Sequence, residues 1–446
     1  MKLFNQIWVF FASVQLAIFT LCSIALTSII GTLVPQGESH TFYVAKFGEK
    51  ISFFFQILDI PTMYSSWWFL GLLGLLCVNL IVCSLDRFPS VWRVMSADNL
   101  NVSVERLQKM NFFRQWFVSS EKLTEIDPIS VLASCGWGSK NKDIASGFLT
   151  FSEKGCWSRL GVYIVHLSIL VIFLGASIGS VFGFKGSVMI PELRGTEKIF
   201  NAHDSTAINL GFTLRNDSFG IEFYDNGMPK EYKSSLTVLE NNQEVLKKDI
   251  KVNSPLTYKG ITFYQSSYQA HQEFIVQATD TASQKSRQVS LPFQQQMVLE
   301  ELKLQLGIIN AEAAGQRAVR AKVWVKIADD PPQSHWVNNN ESISINGDGK
   351  NYTLNVKQLY STGLQVAKDP GVWIVYAGCA LMLIGLYIAF FLSHRKIWLY
   401  QKTVDNKKMV ILAGTTNKNK ASFAKVFAEL ENLTNQALYR HNHKNR

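Results

Sequence analysis

The side chain whose chemistry stands out is a histidine set in an apolar stretch. Residues Arg159 to Gly183, RLGVYIVHLSILVIFLGASIGSVFG, carry no formal charge after Arg159 and hold one ionisable group, His166. A run of this length crosses a bilayer as a helix. An imidazole at that depth needs a partner, which makes His166 a candidate metal ligand or proton carrier. The competing reading is a helix–helix hydrogen bond to a carbonyl or a serine. At about 100° per residue, Ser177 and Ser180 fall within roughly 40° of His166, and Gly175 lies roughly opposite. Gly175, Gly179 and Gly183 make a small-xxx-small ladder that lets another helix approach closely. One face of the helix therefore reads as packing surface, and the other presents an imidazole and two hydroxyls.

Other chemistry is sparse. His40 and His394 sit at the edges of apolar runs, on opposite sides. His203, His271 and His335 have no spacing that makes a metal site, and His441 and His443 belong to a basic tail. The six cysteines, Cys22, Cys77, Cys83, Cys135, Cys156 and Cys379, form no CxxC pair. That argues against a zinc site or a thiol-redox motif. There is no Walker loop or HExxH, and the one GxSxG match, Gly175 to Gly179, lies inside the apolar run rather than at the strand-to-helix turn that motif needs. A cytochrome b-type quinone enzyme would hold its haem between paired histidines, which a lone intramembrane histidine argues against. The net charge of +10 invites a nucleic-acid partner, but the Lys and Arg residues gather beside apolar runs. That is a topology signal, so no nucleic acid is expected.

The elements that must position His166 follow from hydropathy. The fold class expected is an integral membrane α-helical protein with four transmembrane helices and a large extracytoplasmic all-β domain between helices three and four. Residues 1–36 hold the N-terminus and the first span, an apolar run from Ile7 to Val34 stopped by Pro35. Residues 37–66 are a short external loop whose ISFFFQILDIP segment is too short to span and is placed in the interface. Residues 67–85 are the second span, with Tyr64, Trp67 and Trp68 as an aromatic belt at its mouth. Residues 86–158 form a cytoplasmic loop subdomain with strand-like FFRQWFV and FLTFSEKG. Residues 159–183 are the third span. Residues 184–370 alternate apolar and polar positions between turns such as DNG (Asp225 to Gly227) and NGDG (Asn346 to Gly349), as a β-sandwich or open barrel would. One stretch there, about 293–307, is also compatible with a helix. Residues 371–392 are the fourth span, with Gly371, Gly378 and Gly385 as a packing stripe. Residues 393–446 are a basic tail, eleven Lys and Arg against three acids, with an amphipathic helix over 419–438 expected to pack on the 86–158 subdomain. The basic excess puts both termini in the cytoplasm and residues 184–370 outside. The external region has no cysteine, so it folds without disulfides.

Several stretches together resemble the ResB family (also called CcsB), the larger subunit of System II cytochrome c biogenesis. They are SIIGTLVPQ (Ser28 to Gln36), NLIVCSLDRFP (Asn79 to Pro89), RLGVYIVHLSIL (Arg159 to Leu170), VNSPLTYKGITFYQSSY (Val252 to Tyr268), the last span from Asp369 to Trp398, and GTTNKNKASFAKVFAEL (Gly414 to Leu430). The resemblance covers nearly the whole chain in order. It implies a complex with a ResC or CcsA membrane subunit that moves heme to the outer face of the membrane and presents it to the CxxCH motif of apocytochrome c. An intramembrane histidine of the third span is associated with heme in that family, and His166 is its match. The implied cofactor is heme b, carried transiently, with His166 as ligand to its iron. No catalytic residue is implied, and thiol–disulfide reductant proteins enter only indirectly. The tryptophan-rich motif of the partner subunit is absent, since Trp67-Trp68-Phe69 lacks that pattern. The implied location is the plasma (inner) membrane, or a thylakoid membrane. The alternative is a membrane-anchored scaffold or sensor with an external β domain and no heme role, for which the sequence shows no output motif.

Overall fold

Four helices are long and apolar enough to cross a membrane, judged by length and composition. The structure, a computed structural model, describes residues 2–119, 128–144, 147–202, 204–224, 228–315, 317–404 and 407–439. His203, His441, His443 and the expected turn at Asp225 to Gly227 lie outside the described residues.

The first apolar run is two helices, α1 (Lys2–Phe11) and α2 (Val14–Leu33), where the sequence reads as one. Ser13 makes the break by capping α2, its Oγ accepting from the Gln15 N–H at 3.2 Å. The carbonyls freed by the break are not left bare. Asn79 Nδ2 donates to the Phe11 carbonyl at 2.7 Å and to the Ser13 carbonyl at 3.0 Å. After α2 the chain folds back tightly. Gly31 leaves room for Met63 and Tyr64, and Gln36 Oε1 accepts from the Met63 N–H at 3.1 Å. Two short helices follow, α3 (His40–Phe47) and α4 (Glu49–Ile57), then a 3-10 turn (Ile60–Ser65).

The second long helix, α5 (Trp67–Ser96), runs past the expected end at residue 85. The charged pair Asp86 and Arg87 does not stop it, because charge at a helix surface is no breaker. Asp86 instead accepts from Trp8 Nε1 of α1 at 3.2 Å. Next come α6 (Val104–Gln108), β1 (Phe112–Ser119), α7 (Pro128–Ser134), β2 (Ser139–Ile144) and β3 (Gly147–Lys154). A 3-10 turn (Cys156–Leu160) leads into α8 (Gly161–Phe182), which carries His166.

Two compact units divide the chain, Met1–Ala176 with Val372–Arg446, and Ser177–Gly371. After the end of α8, the second unit is built from strands. These are β4 (Phe184–Pro191), β5 (Gly195–Asn201), β6 (Ala207–Phe223), β7 (Pro229–Glu240), β8 (Gln243–Ile250), β9 (Leu256–Tyr258), β10 (Ile261–Asp280) and β11 (Ser286–Pro292). They continue as β12 (Gln296–Leu299), β13 (Leu304–Ala314), β14 (Arg317–Ile327), β15 (Gln333–Asn338), β16 (Glu341–Gly347) and β17 (Lys350–Lys368). All pairings are antiparallel. One sheet runs β11-β10-β17-β4-β5-β6-β7-β8, with β9 and β16 attached to β10 and β17, and a smaller one runs β12-β13-β14-β15.

The long strands β10 and β17 serve two cores. Phe263, Leu364 and Val366 pack with Ile190, Leu236 and Val238. Farther along, Val276, Ala278, Leu354 and Val356 pack with Leu306, Val323 and Val325 of the smaller sheet. Between them, the buried Glu192 carboxylate pairs with the partly buried Lys357 at 2.5 Å, and Lys357 Nζ also donates to the Phe219 carbonyl at 2.6 Å. The NGDG turn closes the β16–β17 hairpin with Asp348 and Gly349 both at positive φ, as a type I′ turn requires. The 293–307 stretch holds β12 and the start of β13 joined by turns, and its helical part is only a 3-10 turn at Glu300–Leu302. Leu304, Leu306 and Ile308 alternate into the core against β14, and that period-2 burial overrides the local helical spacing.

The fourth long helix is α9 (Val372–Phe391), followed by β18 (Arg395–Val404), β19 (Lys407–Thr416) and α10 (Lys420–Tyr439). Strands β18 and β19 return to the first unit and complete a five-stranded sheet in the order β1-β19-β18-β3-β2. One face packs Ile397, Leu399 and Leu412 under Phe423, Phe427 and Leu430 of α10. The other packs Trp398, Tyr400 and Ile411 with Leu107 of α6.

Candidate functional site

Helix α9 meets α8 through its glycines. A Cβ on Gly385 would lie 2.9 Å from the Val165 backbone nitrogen, and one on Gly378 would lie 2.7 Å from Ile172 Cγ1. In return, a Cβ on Gly161 of α8 would sit 2.6 Å from the Ala389 nitrogen. Backbones this close are what small residues permit in an apolar surrounding. In the α8 ladder, Gly179 meets the Asp369 carboxylate.

His166 is half-buried, and its Nδ1 lies 2.9 Å from Ser84 Oγ of α5. Its ring stands edge-on to Tyr163 at a centroid distance of 6.4 Å, and Phe88 of α5 packs edge-on against Tyr163 at 5.4 Å. The hydroxyl at the ring comes from α5. Ser177 and Ser180, read from helical spacing as near the histidine's face, are exposed. The helix–helix hydrogen bond is thus present at Nδ1. It leaves Nε2 without a hydrogen-bond partner among the described residues. When Ser84 accepts from Nδ1–H, Nε2 presents a lone pair. A hydroxyl or carbonyl on the far nitrogen is how a metal-binding histidine is usually oriented.

Among the described residues no group of three or more His, Cys, Asp or Glu could hold a metal ion. Porphyrin iron takes its equatorial donors from the macrocycle and asks the protein only for axial ones. His166, with Nε2 open and Val165, Leu167, Ile169 and Leu170 beside it in the helix, could supply one such donor.

A second polar cluster precedes α8. Arg159 Nε donates to His394 Nδ1 at 2.9 Å, and His394 Nε2 donates to Glu153 Oε2 at 3.1 Å. The His394 N–H donates to Asn417 Oδ1 at 2.8 Å. Burial pushes the His394 imidazole below the usual histidine range; the Lys396 and Arg159 charges add to this, and Glu153 opposes it. The ring is neutral, so its contact with Glu153 is a hydrogen bond rather than an ion pair. Burial likewise lowers Lys396, whose Nζ donates to Asn99 Oδ1 at 2.9 Å. Lys418 Nζ donates to the Ala389 carbonyl at the end of α9. These bonds tie the start of α8 and the end of α9 to the five-stranded sheet.

The remaining described histidines lie elsewhere. His40 opens α3 beside Glu38 and Asp59, His271 on β10 is 2.6 Å from Ser361 Oγ, and His335 is 3.3 Å from Gln333 Oε1. Two residues that sequence reasoning passed over, Asn79 and Ser84, organise the helices. A signal for them existed, since polar side chains inside an apolar run must find partners.

Four membrane-length helices with a β unit between the third and fourth in chain order, and an imidazole among the helices with one ring nitrogen open, describe the class of a membrane protein with a large β unit. The chain belongs to the ResB-like family, whose profile matches residues 14–358 and 337–428. It is similar to the "Cytochrome c biogenesis protein Ccs1" of Pyropia yezoensis, 25% identical over 443 residues that cover 95% of this chain and 94% of the relative. It is 26% identical to the "Cytochrome c biogenesis protein CcsB" of Synechococcus sp. (strain JA-3-3Ab), with 94% and 88% of the two chains covered. For the CcsB protein of Microcystis aeruginosa the identity is 28%, over 92% of this chain and 91% of the relative.

Proposed function

We propose that this chain works in cytochrome c biogenesis as a subunit of a System II synthase. With a ResC/CcsA-type partner it delivers heme across the membrane and presents it, together with apocytochrome c, for covalent attachment at CxxCH. The observation that carries this reading is His166, held at Nδ1 by Ser84 and open at Nε2. Heme b, as cargo, brings an iron that accepts axial nitrogen ligands and a flat apolar ring. His166 offers one such nitrogen, Ser84 fixes the ring's orientation, and the apolar faces of α5 and α8 exclude water.

Topology supports the same reading. Strands β1 and β3 pair with β19 and β18, so the segments before α8 and after α9 share one side of any membrane the helices cross. Their basic excess favours the cytoplasm. Residues 184–370 then share the outer compartment with the acceptor cytochrome. Having no cysteine, they leave thiol reduction of the acceptor to other proteins. Edge strands such as β8 and β15 offer backbone to an extended client.

Copurification with the partner subunit tests the proposal. The wild-type complex is expected to carry a heme Soret band, and His166→Ala to lose most of it and block cytochrome c maturation while still inserting. Added imidazole is expected to restore part of the band. Undiminished heme and normal maturation in His166→Ala would reject the assignment.

A further inference from the structure

The longest strand of the β unit is interrupted near its middle. In the β10–β17 pairing Ala270 faces Tyr360 and Phe274 faces Gln358, so His271, Gln272 and Glu273 stand against Leu359 alone. Bulges re-aim side chains and gather at binding sites. Over this one opens a cleft of about 460 Å³, within the size range of ligand sites.

The cleft is held open by the protein's own bonds. Gln358 is buried; its Nε2 donates to the His271 carbonyl at 3.1 Å, and its Oε1 accepts from the Ala318 N–H at 2.7 Å and the Tyr360 hydroxyl at 3.0 Å. One side chain thereby ties the bulge to β14. Ser361 Oγ fixes His271 Nε2 at 2.6 Å, and the Gln272 carbonyl accepts from the Phe293 N–H at 3.0 Å. What remains is available to a ligand. His271 Nδ1 and the side-chain amides of Gln269 and Gln272 have no hydrogen-bond partner among the described residues, and all three residues line the cleft.

The rest of the lining selects the ligand class. Phe274 and Phe293 give an aromatic surface, while Ala311, Ala313, Gly315 and Ala318 leave the facing wall unfilled. No Lys, Arg, Asp or Glu is among the described lining residues, so a phosphate or a free carboxylate finds no counter-charge. Primary amides and an imidazole complement peptide groups, and an unfilled wall over two aromatic rings complements an apolar side chain.

We infer that the β10 bulge is a peptide-binding site taking a short, uncharged, extended segment of a client chain. The client backbone lies along Gln269, His271 and Gln272, and one apolar side chain enters between the alanines and the two phenylalanines. The inference rests on the proposed handling of an unfolded acceptor and adds where that acceptor is held. Edge-strand pairing alone gives affinity without choice, whereas a pocket for a side chain gives choice.

Fluorescence anisotropy on the full-length protein in lipid nanodiscs tests it. The probes are a labelled CxxCH peptide with serines in place of cysteines, and an uncharged apolar peptide of equal length without the motif. Ala313 is exposed, so Ala313→Trp fills the cleft mouth without entering the core. It is expected to weaken peptide binding at least about tenfold, while Ala313→Ser binds as wild type. The double variant Gln269→Ala, Gln272→Ala is expected to weaken binding too, by removing only solvent-facing amides. Equal binding by wild type and Ala313→Trp overturns the cleft assignment and leaves the cytochrome reading standing. Cleft-dependent binding of the apolar peptide alone supports the cleft and sinks its link to apocytochrome. A wild type that binds neither peptide, or that takes hemin in the cleft in their place, overturns the inference.

Discussion

Replacing Ser84 by alanine removes one oxygen, 2.9 Å from His166 Nδ1, from a helix that alanine otherwise suits well. The size of the loss depends on what that oxygen does. If the hydrogen bond only joins α5 to α8, its loss is worth about 0.6 kcal/mol of stability, about threefold in an equilibrium, and leaves heme untouched. If it orients a ligand, losses of such supporting bonds run about 10–100-fold in affinity, or about 1.4–2.7 kcal/mol. The gap between these figures is wide enough to measure. The assay is a hemin titration of the complex with its partner, read at the Soret band, with His166→Ala as the zero reference. Ser84→Ala is expected to weaken heme at least about tenfold, and Ser84→Thr, which keeps the hydroxyl, to stay near wild type. Wild-type affinity in Ser84→Ala would refute the orienting role. Wild-type affinity in His166→Ala as well would remove the ligand itself.

Two further expectations concern the scaffold. Since burial lowers the His394 imidazole, the unfolded chain takes up a proton there more readily than the folded one. Its contribution is therefore complete above the unfolded value, about pH 6.5, and is lost as pH falls below it. Thermal melts are expected to drop as pH falls below that value, and His394→Gln, which can still bond Arg159 and Glu153, to flatten the profile; parallel profiles would contradict this. In the β unit, Lys357→Met strands the Glu192 carboxylate, which is 2% exposed. Breaking one side of a buried pair costs about 3 kcal/mol or more, about 6–12 °C for a unit of this size. A melt shifted by less than a degree would show that Glu192 is held by the Phe219 and Tyr360 N–H groups alone.

The helices were legible because twenty apolar residues in a row have few other uses. Most strands of the β unit showed their alternation, as in SSLTVLE and YTLNVKQLY. The strands Arg395–Val404 and Lys407–Thr416 did not, because both faces of IWLY and VILA are buried and no alternation survives. Beside a membrane-length helix, their lysines read simply as flanking charge. His166 was visible as an isolated imidazole, but its partner was not. Angular periodicity ranks neighbours on the same helix, such as Ser177 and Ser180, and is blind to Ser84 on another. The break at Ser13 escaped for a similar reason, since the group that satisfies it sits on Asn79, far along the chain.

The five-stranded sheet has a consequence for biosynthesis. Its strand β1 has no described neighbour except β19, and Lys154 of β3 pairs with Arg395 of β18. At about 5–20 residues per second, a ribosome needs about 10–50 s to travel between those two residues. Throughout that interval the nascent loop carries raw strand edges that invite chaperones or aggregation. A chain terminated before Arg395 never escapes that condition, so closure of this sheet certifies that everything between has been made.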